Sequence, residues 1–403
     1  MKKKFLTFLS SLLTLLILSQ YSLSFAAVPH SKSTDEMRGI WLSFLDLKSL
    51  VYQKSEKEFQ DNITEVFDKI KTANLTDIFV QVRPFSDALY FSKIFPQSDM
   101  LTGIQGKDCG YDPLKIMTTL AHKDKIKIHA WINPYRIKNP SSDLELSSNH
   151  PAMKWLTEKN SDEVITLDNG GIYYNPGSKN AIQLIVNGVK EIIQNYNVDG
   201  IHLDDYFYPS KEKLIDENLY NSYLSNGGSL SLDNWRFENV NTLIKELYKT
   251  IKNVNPNISF GISPAGSINS NYEVHYSDVA KWISEPGYID YLCPQIYFGF
   301  ENQKQPFNTV LSQWTSLEKL DNVSIYVGLA AYKINAEDKF AGSGSQEWVN
   351  NNDIISRQIQ ACRSNKKCDG FVFFRYDSLF NPSSDVKSAV EEEMSKIIPL
   401  LKK

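Results

Sequence analysis

The sequence predicts an α/β fold, a closed (β/α)8 TIM barrel with extended loops after its strands. Three observations predict it. Strand-like and helix-like segments alternate eight times along the chain, the rhythm of parallel strands joined by crossover helices. No Gly-rich phosphate turn follows the first strand, so the signature of a doubly wound open sheet is missing. Polar residues close several strands at equivalent heights, as they do at a barrel mouth.

The elements follow in order. Met37–Phe44 reads as the first strand. Glu56–Ala73 is an amphipathic helix with Phe59, Ile63, Phe67 and Ile70 on one face. Asp77–Pro84 is the second strand. Asp112 is a helix cap and Pro113 suits a first helical position, which opens a helix to about Lys125. Lys127–Tyr135 is the third strand. Val164–Pro176 reads as a hairpin turning on Asn169-Gly170-Gly171. Asn180–Tyr196 is a helix leading into a fourth strand at Val198. Trp235–Asn253 is a helix, Ile258–Gly266 a fifth strand, Ser277–Ser284 a short helix and Ile289–Tyr297 a sixth strand. Helix Thr309–Glu318 precedes a seventh strand, Val323–Tyr332. Helix Asp353–Arg363 precedes an eighth, Gly370–Tyr376, and Ser384–Ile398 is a closing helix. The length beyond a minimal barrel falls in the loops after strands two, three and four.

Composition narrows the class. The chain has 403 residues, enough for one large domain or two ordinary ones. It shows no long linker, tandem repeat or low-complexity run, so one catalytic domain over 37–400 is expected. A net charge of -4 gives no reason to expect nucleic acid. The 21 Tyr, 21 Phe and 7 Trp suit carbohydrate binding, and equally a large core. Lys2, Lys3 and Lys4, the apolar run from Phe5 to Leu18, and Ser24-Phe25-Ala26 form the basic, apolar and small-residue pattern of a signal peptide. The run is short for a membrane span. Export with cleavage after Ala26 is expected, leaving a short linker at 27–36 and no stable membrane insertion. The mature protein is then secreted or associated with the cell wall. Of four cysteines, Cys362 and Cys368 flank a tight turn and are expected to bridge. Cys293 reads as buried in a strand and Cys109 as a loop residue. No Cys–His spacing suggests zinc, and no metal or cofactor is expected.

The stretch from Val198 to Pro209 is the most informative. Ile201 and Leu203 alternate with His202 and Asp204, the period of a strand, which then ends in Asp204, Asp205 and three aromatics. A carboxylate beside a ring-stacking surface suits work on a glycosidic bond. The plainer reading is a strand capped by solvated aspartates. The same register makes Gln81 and Arg83 inward on the second strand and His129, Trp131, Asn133 and Tyr135 on the third. On the fourth it selects His202, Asp204 and Tyr206, on the fifth Gly261 and Ser263, and on the sixth Cys293, Gln295 and Tyr297. Arg83, Asn133, Asp204, Ser263, Gln295 and Tyr297 are therefore expected to meet at the mouth. Their alternative is a buried polar plug. His129 and His202 with Asp204 have the chemistry of metal ligands. The first strand carries Gly39-Ile40-Trp41 where a metal-binding barrel needs His-x-His, so both read as core histidines.

The motifs together resemble a known family. Met37-Arg38-Gly39-Ile40-Trp41, Gln81-Val82-Arg83-Pro84, Ala130-Trp131-Ile132-Asn133-Pro134-Tyr135, Asp199-Gly200 through Tyr208-Pro209, Phe260-Gly261-Ile262-Ser263-Pro264 and Pro294-Gln295-Ile296-Tyr297 are similar to the glycosyl hydrolase-like 10 family. The resemblance covers about residues 36 to 335. It implies an exported bacterial glycoside hydrolase with a glycosidase-type barrel. The substrate class it implies is the glycan of cell-wall peptidoglycan, in strands stripped of their peptides. More distantly, the fourth strand resembles family 18 chitinases. Asp199-Gly200 and Asp204 match, but Tyr206 stands where those enzymes carry their acid, which puts their substrate-assisted mechanism in doubt.

The expected catalytic residues are Asp204 and Asp205. Asp204 would be nucleophile or cation stabiliser, with Arg83 holding its charge. Asp205 would be the second acid or a brace. As neighbours on a strand, the two side chains should leave on opposite faces unless the strand bulges. The other expected substrate-binding residues are Asn133, Tyr135, Tyr206, Ser263, Gln295 and Tyr297, and Trp41 and Trp131 are either ring-stacking or core. Asp46, Asp87, Asp168, Glu273, Glu301 and Asp377 are further carboxylates in loops. Two other classes stay open. One is an inactive barrel that binds cell-wall glycan. The other is a peptide or acetyl hydrolase of the wall, for which no Gly-x-Ser-x-Gly elbow or zinc motif is found.

Overall fold

The computed structural model describes residues 35–140, 142–158 and 161–402. The expected signal segment and residues 27–34 of the linker lie outside them. Eleven strands are present: β1 Met37–Leu42, β2 Asp77–Arg83, β3 Lys127–Ile132, β4 Arg136–Lys138, β5 Val164–Thr166, β6 Ile172–Tyr174, β7 Gly200–Leu203, β8 Ser259–Ile262, β9 Tyr291–Leu292, β10 Ser324–Leu329 and β11 Gly370–Phe373. Eight of them close a parallel barrel in the order β1, β2, β3, β7, β8, β9, β10, β11, with β11 returning to β1. The (β/α)8 expectation holds. The other three form a small antiparallel sheet, ordered β4-β6-β5, between β3 and the helix Lys179–Asn195. No helix among the described residues is long and apolar enough to cross a membrane.

Alternation along each strand builds two cores. Ile40, Leu42, Ile78, Val80, Ile128, Ala130, Ile201, Leu203, Phe260 and Ile262 face the helices. Met37, Trp41, Phe79, Trp131, Tyr291, Cys293, Tyr326 and Val372 fill the barrel axis. Such large rings leave no room for side chains beside them. A Cβ on Gly261 would lie 2.3 Å from the Tyr291 ring, and one on Gly200 2.1 Å from His129 Nδ1. The helices start where the sequence signals it. Asp112 caps Pro113–Lys123 by accepting from Lys115 N, and Ser178 caps Lys179–Asn195 by accepting from Ala181 N.

His129 and His202 belong to the axial core. Trp41 Nε1 donates to His202 Nε2 at 3.1 Å, so the proton of the neutral ring sits on Nδ1, 3.0 Å from the Tyr291 hydroxyl. Burial holds the His202 pKa well below its ordinary value. His129 Nε2 is 2.9 Å from the Asp77 carboxylate, and its ring stacks on Phe79.

Several expectations need correction. The second, third, fifth and sixth barrel strands are shorter than predicted because Pro84, Pro134, Pro264 and Pro294 interrupt their ladders. Regular pairing of the sixth barrel strand ends at Leu292, then resumes beyond Pro294 as single bridges from Gln295 to Ala265 and Gly328. The first strand ends at Leu42 because Ser43 N and Oγ both donate to Asp46, which opens an unpredicted helix, Phe44–Val51. The four cysteines are free thiols. Cys362 and Cys368 lie side by side, but the Cys368 thiol donates to the Gly370 carbonyl at 3.3 Å and no bridge forms.

Candidate active site

A cleft of about 670 Å3 opens at the carboxyl ends of the barrel strands. Its floor is Trp41 and Trp131, both buried, and its walls come from the segments that follow seven of the barrel strands. Of the expected residues, Asp204, Asp205, Tyr206, Ser263, Gln295 and Tyr297 line it. Among the described residues, Asp204 and Asp205 are its only carboxylates. They share the cleft because β7 ends at Leu203, so strand alternation does not reach them. The opposite-face expectation fails for that reason.

Asp204 is 2% exposed and accepts on both oxygens. Trp131 Nε1 donates to Oδ2 at 3.1 Å, and the Asn133 amide donates to Oδ1 at 3.1 Å and Oδ2 at 3.2 Å. The backbone N–H of Tyr206 donates to Oδ1 at 3.3 Å. Asn133 is oriented by the Arg136 N–H, which donates to its Oδ1 at 2.9 Å, so its amide nitrogen must face Asp204. Burial pushes the Asp204 pKa up to about 7, while Arg136 and the donors pull against it and Asp205 adds to it. Each donor would oppose a proton on the carboxyl, so the surroundings are built for the anion.

Asp205 differs. Gln295 Nε2 donates to its Oδ1 at 2.9 Å, and the other oxygen accepts nothing from another described residue. Gln295 is itself fixed by donating to the Ser263 carbonyl at 3.0 Å and hydroxyl at 3.2 Å. Burial raises the Asp205 pKa, against the charge of His275 and the Gln295 bond. Burial in turn lowers the His275 pKa, and Asp205 opposes that. The charge of Asp205 adds to the rise at Asp204, because neighbouring carboxyls in one cleft resist double ionisation.

Three expected residues stand elsewhere. Arg83 does not reach Asp204. The β2–β3 register shifts between Gln81 and Arg83, which turns Arg83 toward the helices, where its guanidinium lies 4.5 Å over the Phe95 ring. Its terminal nitrogens find no acceptor among the described residues. Tyr135 is fully buried against Phe207, because β3 stops at Ile132 ahead of Pro134. Asn133 lies behind Asp204 as its donor and does not line the cleft. Of the loop carboxylates, Asp46 holds Arg375 at 2.6 Å and Asp87 is buried away from the cleft.

The cation facing both aspartates is Arg136, which sequence reasoning missed. It opens β4, pairs with Tyr173 of β6, and packs its guanidinium 5.0 Å from the Tyr206 ring and 4.8 Å from Phe85. The small sheet thus serves to set Arg136 and Tyr173 on the cleft wall. Ser43, Phe44, Leu45, Tyr332 and Phe374 were also missed as lining residues. Phe374, Tyr297 and Tyr332 form an aromatic cluster with centroids 5.5 to 5.9 Å apart. Such a wall suits the apolar face of a sugar ring.

Residues 36–348 match the glycosyl hydrolase-like 10 family. Glycosyl hydrolase YngK of Bacillus subtilis (strain 168) is 33% identical over 400 residues, spanning 94% of this chain and 76% of the relative. Glycosyl hydrolase DigH of Escherichia coli (strain K12) is 30% identical over 386 residues, spanning 88% and 86%. In fold, the barrel is similar to the PgaB (BpsB) glycoside hydrolase domain from Bordetella bronchiseptica. That likeness has a TM-score of 0.58 at 10% identity, spanning 89% of this chain and 99% of that one. With two such relatives, and a match that runs from the first barrel strand past the seventh, the chain belongs to the glycosyl hydrolase-like 10 family and is a glycoside hydrolase.

Proposed function

We propose that the protein is exported and hydrolyses peptide-free glycan strands of peptidoglycan, with Asp204 and Asp205 as its catalytic carboxylates. One observation carries the catalytic assignment: the two residues share a cleft in which one is surrounded by donors and the other keeps an oxygen free. Asp204, the natural anion, stabilises the developing oxocarbenium charge or attacks the anomeric carbon. Asp205 holds the proton and delivers it to the leaving oxygen. Arg136 supplies the positive field that lets Asp204 ionise despite burial. The aromatic walls stack on the sugar rings, and Tyr297 and Ser263 offer hydroxyls to their polar edges. The amino-terminal pattern of residues 2–26 supports delivery to the wall. The choice of substrate rests on the family resemblance of the strand-end motifs.

The test is release of soluble fragments from purified peptide-free strands, beside intact peptidoglycan. Release from the stripped strands, with little from intact material, is expected. Release from intact material alone, or from neither, would overturn the substrate reading.

Asn133 gives a further prediction, as a positioning residue. Its amide favours the Asp204 anion, so Asn133→Ala raises the pKa of that carboxyl. Activity depends on the anion and falls as pH drops below about 7. The acid limb of kcat/KM should then move to higher pH by about one pH unit. A limb that stays in place, with activity merely scaled down, would deny the electrostatic role.

A further inference from the structure

The cleft does not end at the barrel mouth. A second cavity of about 600 Å3 adjoins it and shares Phe44, Asn139 and Pro140 as wall residues. Phe85 also lines it, packed edge-on to Phe44 at 5.1 Å, and Arg136 lies over both rings. The residue that faces the two aspartates thus also forms the partition between the cavities.

The second cavity has its own chemistry. Lys48, on the helix Phe44–Val51, and Lys138, at the end of β4, both line it. Neither ammonium is held in an ion pair among the described residues, whereas the buried Lys252 and the half-buried Lys333 are paired with Asp290 and Asp338. Asp99 is the carboxyl on the same wall. Burial raises its pKa, and Lys48 opposes that. Two ammonium groups against one carboxyl leave the cavity cationic. Phe44, Phe85 and the exposed Tyr52 ring supply the apolar surface. Aromatic surface beside unpaired ammonium groups fits a sugar that carries a carboxylate.

We infer that this cavity is a distal subsite, and that it selects an acidic amino sugar in the chain being cleaved. This rests on the proposed function and deepens it. In a peptide-free strand the lactyl ether of each muramic acid ends in a free carboxylate. In an intact strand that carboxyl is bound up as an amide with the stem peptide. Lys48 and Lys138 would read that difference, at a distance from the bond that breaks.

The experiment compares binding of two oligosaccharides of equal length to the full chain carrying Asp204→Asn, which prevents turnover. One is a peptide-free fragment with muramic acid, and the other a neutral chitooligosaccharide. Without further change, the acidic ligand should bind more tightly, and added salt should narrow the gap. With Lys48→Gln and Lys138→Gln together, binding of the acidic ligand should weaken about tenfold and that of the neutral ligand should hold. Equal weakening of both, or no weakening, overturns the subsite. Selective weakening in a protein that proves unable to hydrolyse peptide-free strands keeps the subsite and overturns the proposed function. Failure to bind either ligand overturns both.

Discussion

Asp204→Asn is expected to lower hydrolysis of peptide-free glycan by roughly a hundredfold or more, in a protein that still folds. The amide matches the carboxylate in shape but carries no charge to stabilise an oxocarbenium-like transition state. It also turns an N–H group toward donors, since Trp131, Asn133 and the Tyr206 N–H all point at this side chain. Stability should respond to pH in a definite direction. The folded carboxyl has its pKa raised from 3.8 to about 7, so across that window the folded chain keeps a proton that the unfolded chain has lost. Native stability therefore declines as pH rises through the window, and the Asn variant lacks that part of the decline. Turnover rates and melting temperatures measured from acid to neutral pH check both halves. A folded variant with unchanged turnover would move the chemistry elsewhere.

Asp205→Asn should also cost about a hundredfold or more on the glycan, but with a different dependence on the leaving group. A proton donor matters most when the departing oxygen is a poor leaving group. An aryl glycoside with an acidic phenol leaves without help, so the Asp205 variant should retain most of its activity there. The Asp204 variant should be impaired on both substrates, because charge develops at the anomeric carbon in either case. Comparing kcat/KM of the two variants on glycan and aryl glycoside separates the roles. The reverse pattern would exchange them.

The barrel was legible because its two periods are plain. Strands such as β3 carry helix-facing Ile128, Ala130 and Ile132 between inward His129 and Trp131, and the helices show their caps. The same alternation found Asp204, Ser263, Gln295 and Tyr297 at the mouth. It failed where the ladder itself is irregular. The register shift after Gln81 carried Arg83 to the wrong side, and Pro134 ended the third strand before Tyr135. Arg136 escaped because it belongs to β4, a strand outside the barrel whose three residues leave too little pattern to read. His275 lies in the loop after helix Ile268–Glu273, and nothing in its local sequence ties it to Asp205. Chemistry carried on strand ends is visible in a sequence, while partners brought in by loops need the fold.

The most direct test of the central claim is a crystal structure of the Asp204→Asn protein with a peptide-free glycan fragment bound across the cleft. The scissile oxygen should lie within hydrogen-bond reach of Asp205, the anomeric carbon over the side chain at position 204, and a sugar ring against Tyr297 and Phe374. A fragment whose glycosidic oxygen instead meets a carboxyl outside this pair would contradict that claim.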